Sequence, residues 1–215
     1  MKKARTSTLQ EFLKRNPSLR KLDPMNKIDF DVSSLNKEEV VALKSFLAEL
    51  CTDLTIYVEL FDNKENLAEL NKFNVLIFSR IERAYIERIC LKFSTLMDPP
   101  KSCGKENLSF KRFIEITESN LLQALYDEIH DFYVVSGIKN WRNKVLAHAD
   151  LSTFIANTIE LNFRRSDITD VIAGCQEFVD WISDPTSTTD HLVKLPYGND
   201  VSSFINGIKK LNNTG

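Results

Sequence analysis

A stretch of ten residues, 141–150, brings together side chains whose chemistry suits phosphodiester cleavage. An imidazole titrates near neutral pH and can transfer a proton. A guanidinium can bind a phosphate through paired hydrogen bonds and stabilise the charge that develops on it. An amide can orient an oxygen or the imidazole ring. His148 supplies the imidazole, Arg142 the guanidinium and Asn143 the amide.

The helical spacing of these residues leaves two interpretations open. Lys144 and His148 are four residues apart and share a helix face. Arg142 and His148 are six apart, which places them about 120° from each other around a straight helix. They converge only if the helix begins or bends near Arg142, or if a second chain completes the site. Otherwise the pair is typical of a polar network between helices.

The neighbouring side chains also allow two interpretations each. Lys144 is either a ligand for substrate phosphates or a solvated lysine paired with a carboxylate. Trp141 either stacks on a base or packs in the core beside an apolar helix. Asp150 either orients the histidine or marks the end of the helix. His130 and His191 lie outside the stretch and are weaker candidates for acid–base or metal chemistry.

Two blocks of the sequence carry a family resemblance. The first reads Leu96-Met97-Asp98-Pro99 and continues after a short gap as Gly104-Lys105-Glu106-Asn107-Leu108-Ser109; the second runs from Arg142 to Asp150. In order and separation they resemble the U-type abortive-infection (Abi) branch of the HEPN superfamily. The second block is similar to the superfamily's Arg-x(4–6)-His motif, in which a polar residue often follows the arginine. The resemblance covers roughly residues 36–183.

This resemblance implies a fold and a reaction. It implies an all-α HEPN-like bundle of about four to six helices. It also implies a homodimer in which the two copies of the motif meet, and a metal-independent endoribonuclease that needs no cofactor. Arg142 would then bind the scissile phosphate, Asn143 would position it and His148 would transfer a proton. Attack by the ribose 2′-hydroxyl would leave a 2′,3′-cyclic phosphate.

The expected function is therefore RNA cleavage in phage defence, abortive infection or a stress response. An antitoxin or another regulatory protein is a further expected partner. The alternative is a non-catalytic HEPN-like module that binds a partner protein or a nucleotide. The charge of the chain favours this alternative, since the net charge is only −2 and a basic channel for RNA is not visible outside the N-terminal arm.

Composition and charge divide the chain into three parts. Six glycines and six prolines in 215 residues are too few for a turn-rich β-fold, which favours helices. Residues 1–25 carry seven basic and two acidic residues, a local charge of +5 that leaves −7 for the remainder. We predict a basic, loosely ordered arm or peripheral helix over 1–33, a HEPN-like domain over 34–183 and an extension with a short helix over 184–215.

Local signals predict where the helices begin and end. Capping residues and breakers are expected at Asn36 with Glu39, near Asn71, at Met97-Asp98-Pro99-Pro100, Ser109, Ser119 or Asn120, Ser136-Gly137, Ser166, Asp184-Pro185 and Asp200. A continuous helix is predicted from Ile138 to about Ala149.

The remaining signals concern compartment and cofactors. No apolar run of about 18 residues and no signal-peptide core occurs, so a cytoplasmic protein without a membrane partner is expected. The four cysteines, Cys51, Cys90, Cys103 and Cys175, lack metal-binding spacing and are expected to be reduced structural thiols. We therefore predict no metal.

Overall fold

The computed structural model of the chain describes residues 30–146, 165–183 and 198–214. Several predictions concern positions whose structure or side chains lie outside this description. They are most of the basic arm, the break at 184–185, and the predicted roles of His148, Asp150, Ser166 and His191. Helices dominate the described residues, so the predicted all-α class is confirmed. In chain order they are α1 (Lys37–Tyr57), α2 (Lys64–Leu96), α3 (Phe110–Thr117), α4 (Asn120–Val135), α5 (Ile138–Trp141), α6 (Arg165–Ser183) and α7 (Gly198–Thr214). Short elements complete the set: a 3₁₀ turn at Val32–Ser34, and π-helical segments at Val58–Asp62 and Arg142–Leu146.

Helix α1 begins where the sequence predicts. The Asn36 side chain accepts a hydrogen bond from the Glu38 amide at 2.9 Å, which satisfies one of the free N–H groups of the first turn. The expected return contact from Glu39 is replaced by a stronger interaction. Both carboxylate oxygens of Glu39 accept hydrogen bonds from the Arg112 guanidinium, at 2.8 and 2.9 Å. The acidic residue of the capping signal therefore joins α1 to α3.

Helix α2 is interrupted within its length. Asn74 has φ −165° and ψ 98°, which is extended backbone, and its side chain accepts from the Ile77 amide at 3.0 Å. Asn74 therefore ends one helical segment and caps the next. The break predicted near Asn71 lies three residues later, because the cap bond forms at Asn74.

A short hairpin joins α2 to α3. Strands β1 (Lys101–Ser102) and β2 (Lys105–Glu106) pair antiparallel across Cys103 and Gly104. Both turn residues have positive φ, +50° and +77°, as a two-residue hairpin turn requires. Cys103 is consequently exposed, whereas the three helical cysteines are buried as expected for packed thiols: Cys51, Cys90 and Cys175. Burial, with a smaller contribution from Glu87, raises the pKa of Cys90 to about 12.

The chain divides into two compact units. One takes residues 30–47, 94–146 and 165–183 of the described chain, and the other takes 48–93 and 198–214. In the first unit α4 packs on α6, and Phe110 stacks on Phe178 with ring centroids 4.2 Å apart. In the second unit the buried side chains include Leu50, Phe61, Leu70, Phe93 and Ile205. None of the described helices is long and apolar enough to span a bilayer.

Candidate active site

Arg142 follows directly on α5, the short helix that starts at the turn ending α4. Ser119 caps α4 at its start by accepting from the Leu122 amide, as predicted. At the other end Gly137 has φ +81°, a conformation that glycine adopts without strain, and α5 starts immediately after it. The Arg142 amide hydrogen-bonds to the carbonyls of Ile138 and Lys139. The position of Arg142 is therefore set by four residues of α5 and a glycine turn.

The helix predicted from Ile138 to Ala149 changes type at Arg142. The α-helical part ends at Trp141, and residues Arg142–Leu146 form a π-helical turn. A π-turn bonds i to i+5, so it widens the helix and shifts the faces of the residues after it. The angle of about 120° between Arg142 and His148, which assumes a straight α-helix, does not apply here.

Arg142 is ion-paired with Asp98. Its Nη2 lies 3.2 Å from Oδ1 and 3.5 Å from Oδ2 of that carboxylate. The two side chains are 32% and 26% exposed, so the pair is partly shielded but open to water on one side. Asp98 belongs to the first sequence block and Arg142 to the second. The two blocks therefore meet at this ion pair, whose residues are 44 apart in sequence.

The other terminal nitrogen of Arg142 is held by its neighbour in sequence. Nη1 donates to Oδ1 of Asn143 at 3.0 Å. Asp98 and Asn143 together fix the plane of the guanidinium, while its Nε–H has no hydrogen-bond partner among the described residues. A guanidinium has five N–H donors, so donors remain for a phosphate oxygen.

Asn107 holds the loop that carries Asp98. Its amide nitrogen donates to the Pro99 carbonyl at 2.7 Å, and its backbone N–H donates to the Pro100 carbonyl at 2.8 Å. Its side-chain oxygen accepts from the Ser102 hydroxyl at 3.1 Å. Asn107 thus ties the end of the hairpin to the residues that follow Asp98.

Two effects on the pKa of Asp98 oppose each other. Burial raises the pKa of Asp98, and the nearby positive charge of Arg142 lowers it by a smaller amount. The cost of burying the carboxylate therefore outweighs its attraction to Arg142, so the pair is not evidence of a gain in stability.

The structure brings some predicted site residues together and leaves others apart. Asn143 contacts Arg142, while Lys144 is exposed in the same π-turn and Trp141 is half-buried before it. His148 lies outside the described residues, so its distance to Arg142 is not defined. Asp98, a contact of the candidate arginine, was not predicted as a site residue. A signal for it was present in the sequence, since a carboxylate stands in the first sequence block and a guanidinium in the second.

His130 lies in a separate aromatic cluster on α4. Its ring is 5.4 Å from the Tyr126 ring and 6.0 Å from the Tyr133 ring, centroid to centroid. Burial lowers the pKa of His130, with further lowering by Lys139 and Lys111. The described residues contain no group of three or more histidine, cysteine or acidic side chains arranged to hold a metal ion.

One comparison matches this chain to a protein family. A HEPN family model, described as AbiU2, matches residues 37–204. The match begins at the first residue of α1, contains both sequence blocks and ends inside α7, beyond the boundary at residue 183 predicted from the sequence. Curated proteins and solved structures give no match. Because the family match covers most of the sequence and the fold is all-α, the chain belongs to the AbiU2 family of HEPN abortive-infection proteins.

Proposed function

We propose that this chain is a metal-independent endoribonuclease that acts in abortive infection. Family membership supports the setting and the class of reaction. The observation that carries the proposal is the ion pair between Asp98 and Arg142, which fixes a guanidinium at the surface of the first compact unit. Its Nη atoms are held by protein groups, and its Nε–H remains to bind a phosphate oxygen.

The reaction would proceed by transfer within the RNA strand. A ribose 2′-hydroxyl loses its proton, and the resulting oxygen attacks the adjacent phosphorus. The bond from phosphorus to the 5′-oxygen breaks, and that oxygen takes up a proton. The products are a 2′,3′-cyclic phosphate and a 5′-hydroxyl, so no water, metal or redox partner is consumed.

Each candidate residue then has a role that its chemistry allows. Arg142 stabilises the negative charge that develops on the phosphate oxygens. Asn143 orients Arg142, and its amide nitrogen can donate to the same phosphate. His148 transfers a proton, because an imidazole titrates near neutral pH. Lys144 is exposed beside them and attracts the RNA backbone. Trp141 is the candidate for stacking on a base.

The site is proposed to be completed by a second copy of the chain. The family resemblance implies that two Arg/His motifs meet in a homodimer. Mixed dimers of Arg142→Ala and His148→Ala chains test this directly. If arginine and histidine act across the interface, the mixed dimer regains one complete site and cleaves RNA, whereas each homodimer is inactive.

The main experiment is cleavage of RNA by purified protein in EDTA. We expect cleavage that leaves 2′,3′-cyclic phosphate ends, and loss of at least 100-fold in rate for His148→Ala and Arg142→Ala, typical of about 3 kcal/mol of transition-state stabilisation. Circular dichroism should show unchanged helix content. Equal RNA survival with wild type and both variants would contradict the proposal.

A second candidate function is supported by the same contacts. A non-catalytic HEPN module that binds a protein or nucleotide would also use Arg142 to hold its surface together, and Asp98 and Asn143 do engage its guanidinium. The two functions differ in the effect of Arg142→Lys. A lysine can keep the charge pair with Asp98 but cannot contact Asp98 and Asn143 through two terminal nitrogens. Arg142→Lys should therefore leave the fold and partner binding intact if the role is structural, and should abolish RNA cleavage if the role is catalytic.

A further inference from the structure

Three basic side chains in the first compact unit come from three different helices. They are Lys111 on α3, His130 on α4 and Lys139 on α5, and α4 packs on both of the other two helices. The lysines are exposed and the histidine is partly exposed. We call these three residues the basic cluster. None of them has a role in the proposed reaction.

The Tyr126 ring links two members of the basic cluster. The Lys111 ammonium lies 5.5 Å from the centre of this ring, which is within the range of a cation–π contact. The His130 ring stacks on the same ring, with centroids 5.4 Å apart and 27° between the planes. Burial raises the pKa of Tyr126 to about 12, so its hydroxyl stays neutral near pH 7 and does not cancel the charge of Lys111.

Charges near the His130 ring bring Lys139 into the same cluster. Burial lowers the pKa of His130 most, and the positive charges of Lys139 and then Lys111 lower it further. Asp131 and Asp127, its neighbours on α4, raise this pKa by smaller amounts. The two lysines therefore act on the ring more strongly than the two aspartates do.

The two aspartates lie to one side of His130 and Tyr126 lies to the other. At about 100° per residue, Asp127 and Asp131 are about 60° and 100° from His130 around α4, whereas Tyr126 is about 40° from it in the opposite direction. Asp127 also accepts a hydrogen bond from the Gln123 amide at 2.6 Å. An anion that approaches His130 from the Tyr126 side therefore avoids these carboxylates.

The two lysines of the basic cluster are not neutralised by carboxylates. Neither Lys111 nor Lys139 forms an ion pair with an acidic side chain of the described residues. Arg112, the residue after Lys111, differs in this respect, because its guanidinium contacts Glu39 and Glu106 at 2.8 and 2.7 Å. The packing of α3 therefore pairs one cation and leaves the charge of its neighbour available to a ligand.

Two ammonium groups and an imidazole without acidic partners suit a phosphate. All three groups can donate hydrogen bonds to phosphate oxygens. Like charges that are held close together repel each other, and a bound anion offsets this repulsion. Stacking of a base on Tyr126 is not available, because that ring is buried. The chemistry of the basic cluster therefore favours the backbone of a nucleic acid over its bases.

The position of Lys139 connects the basic cluster to the candidate active site. The Lys139 carbonyl accepts a hydrogen bond from the Arg142 N–H, and residues three apart on a helix have Cβ atoms about 5–6 Å apart. About one turn of helix thus separates the arginine assigned to the scissile phosphate from a lysine of the basic cluster. An RNA strand carries a phosphate on every nucleotide and can contact both, whereas one free phosphate cannot.

We propose that Lys111, His130 and Lys139 bind a second phosphate of the RNA strand, on one side of the phosphate that Arg142 binds. This subsite rests on the proposed nuclease function, because Arg142 sets the position of the strand. The basic cluster holds the strand and takes no part in breaking the bond. Its lysines supply ammonium donors, and His130 supplies a ring N–H.

Binding of an RNA strand that cannot be cleaved tests the subsite separately from the reaction. A fluorescein-labelled single-stranded RNA with 2′-O-methyl groups throughout lacks the attacking hydroxyl, so its anisotropy measures binding alone. Each phosphate contact on a single strand contributes about 0.7 to the slope of log K against log salt. Lys111→Ala with Lys139→Ala should lower the slope by about 0.7, which corresponds to a Kd raised about eightfold at 0.05 M salt and little changed at 1 M.

A matched control removes the same charge from the same unit. Lys37→Ala with Lys44→Ala changes two exposed lysines of α1 and should bind the strand as wild type does. The basic N-terminal arm is present in every variant and contributes equally to each. Because Lys111 and Lys139 are exposed, circular dichroism should show the same helix content in all of these proteins.

NMR of the histidine rings tests the contribution of His130. Its resonance is identified by its loss in His130→Asn. Addition of the 2′-O-methyl strand should shift this resonance in wild type and leave it in place in Lys111→Ala with Lys139→Ala. A resonance that does not move in wild type would overturn the assignment of His130 to the subsite.

The outcomes separate the subsite from the nuclease. Protein that binds the strand through the basic cluster but cuts no RNA would disprove the nuclease and support the subsite as an RNA contact. Three results would overturn the subsite. They are equal Kd and salt slope for the Lys111/Lys139 variant and its control, no binding of the strand by wild type, and cluster-dependent binding of inorganic phosphate or ATP with no change in RNA affinity.

Discussion

The Nη2 atom of Arg142 lies 3.2 Å from the Asp98 carboxylate, and this contact between residues 44 apart joins the two sequence blocks. It links the loop after α2 to the turn after α5. The loop is tied down by Asn107, and the Arg142 N–H donates to the carbonyls of Ile138 and Lys139 in α5, so each partner of the ion pair is held by local structure of its own. An arginine fixed in this way is preorganised, which lowers the cost of aligning it with a phosphate.

Asp98→Asn is expected to reduce RNA cleavage and leave stability intact. The amide can still accept from Arg142, but the ionic part of the contact is lost. A less well aligned arginine loses part of its stabilisation of the transition state, and each 1.4 kcal/mol lost corresponds to about tenfold in rate, so kcat should fall about tenfold. Single-turnover cleavage rates measure this. Glu115→Gln, an exposed change on α3 of the same unit, is the matched control.

The stability of Asp98→Asn tests the sign of the pKa shift. Burial raises the pKa of Asp98 more than Arg142 lowers it. An acid with a raised pKa in the folded state favours folding below its ordinary pKa and loses that contribution as pH rises through the raised value. At neutral pH the ionised carboxylate therefore costs stability, and Asp98→Asn should have a Tm equal to or above that of wild type. A lower Tm at pH 7 would mean that the ion pair stabilises the fold.

Asn107→Ala is expected to reduce activity from a distance. The variant loses the bonds to the Pro99 carbonyl and the Ser102 hydroxyl, which together stabilise the loop by about 1 kcal/mol. Since Asn107 does not touch Arg142, its effect should pass through the position of Asp98. We expect kcat to fall more than KM changes, and the double variant Asn107→Ala with Asp98→Asn to be little worse than Asp98→Asn alone. If the losses in kcat of the two single variants add up in the double variant, Asn107 acts independently of Asp98.

Sequence signals predicted the ends of elements better than the contacts between them. Caps such as Asn36 and Ser119 act within three residues, so their effect is readable from sequence alone. The pairing of Arg142 with Asp98 spans 44 residues and depends on how the helices pack, which no local pattern encodes. The π-turn at Arg142–Leu146 has the same origin, because hydrophobic periodicity does not separate it from an α-helix.

The ion pair between Glu39 and Arg112 is expected to make stability depend on pH. Hydrogen bonds from Arg112 lower the pKa of Glu39 below its usual value of 4.5, and partial burial acts the other way. An acid with a lowered pKa stabilises the fold above its ordinary pKa, and this contribution is lost as pH falls through the lowered value. Glu39→Gln should therefore cost about 1 kcal/mol at pH 7 and progressively less as pH falls below 4.5.

Unfolding by urea across this pH range measures the effect of Glu39→Gln. Glu38→Gln, a change at the exposed neighbour, is the control and should show a much smaller difference at pH 7. Salt at about 1 M should shrink the Glu39 effect only in part, because the Arg112 side chain is 17% exposed and the pair is partly shielded. An effect of Glu39→Gln that does not shrink as pH falls below 4.5 would contradict the assignment.

Lys92 and Asp53 form a shielded ion pair between α1 and α2 in the second unit. Their side chains are 12% and 11% exposed, with Nζ 2.8 Å from Oδ2, and Arg88 Nε also donates to that oxygen at 2.6 Å. Lys92→Met should cost about 2 kcal/mol, less than the 3–5 kcal/mol typical of a broken buried pair, since Arg88 still neutralises the carboxylate. Adding Asp53→Leu removes the charge that Lys92→Met leaves behind, so the double variant should recover much of the loss. Urea unfolding of wild type, Lys92→Met and the double variant measures these free energies. A double variant less stable than Lys92→Met would show that Asp53 stabilises the fold through its bond to Arg88.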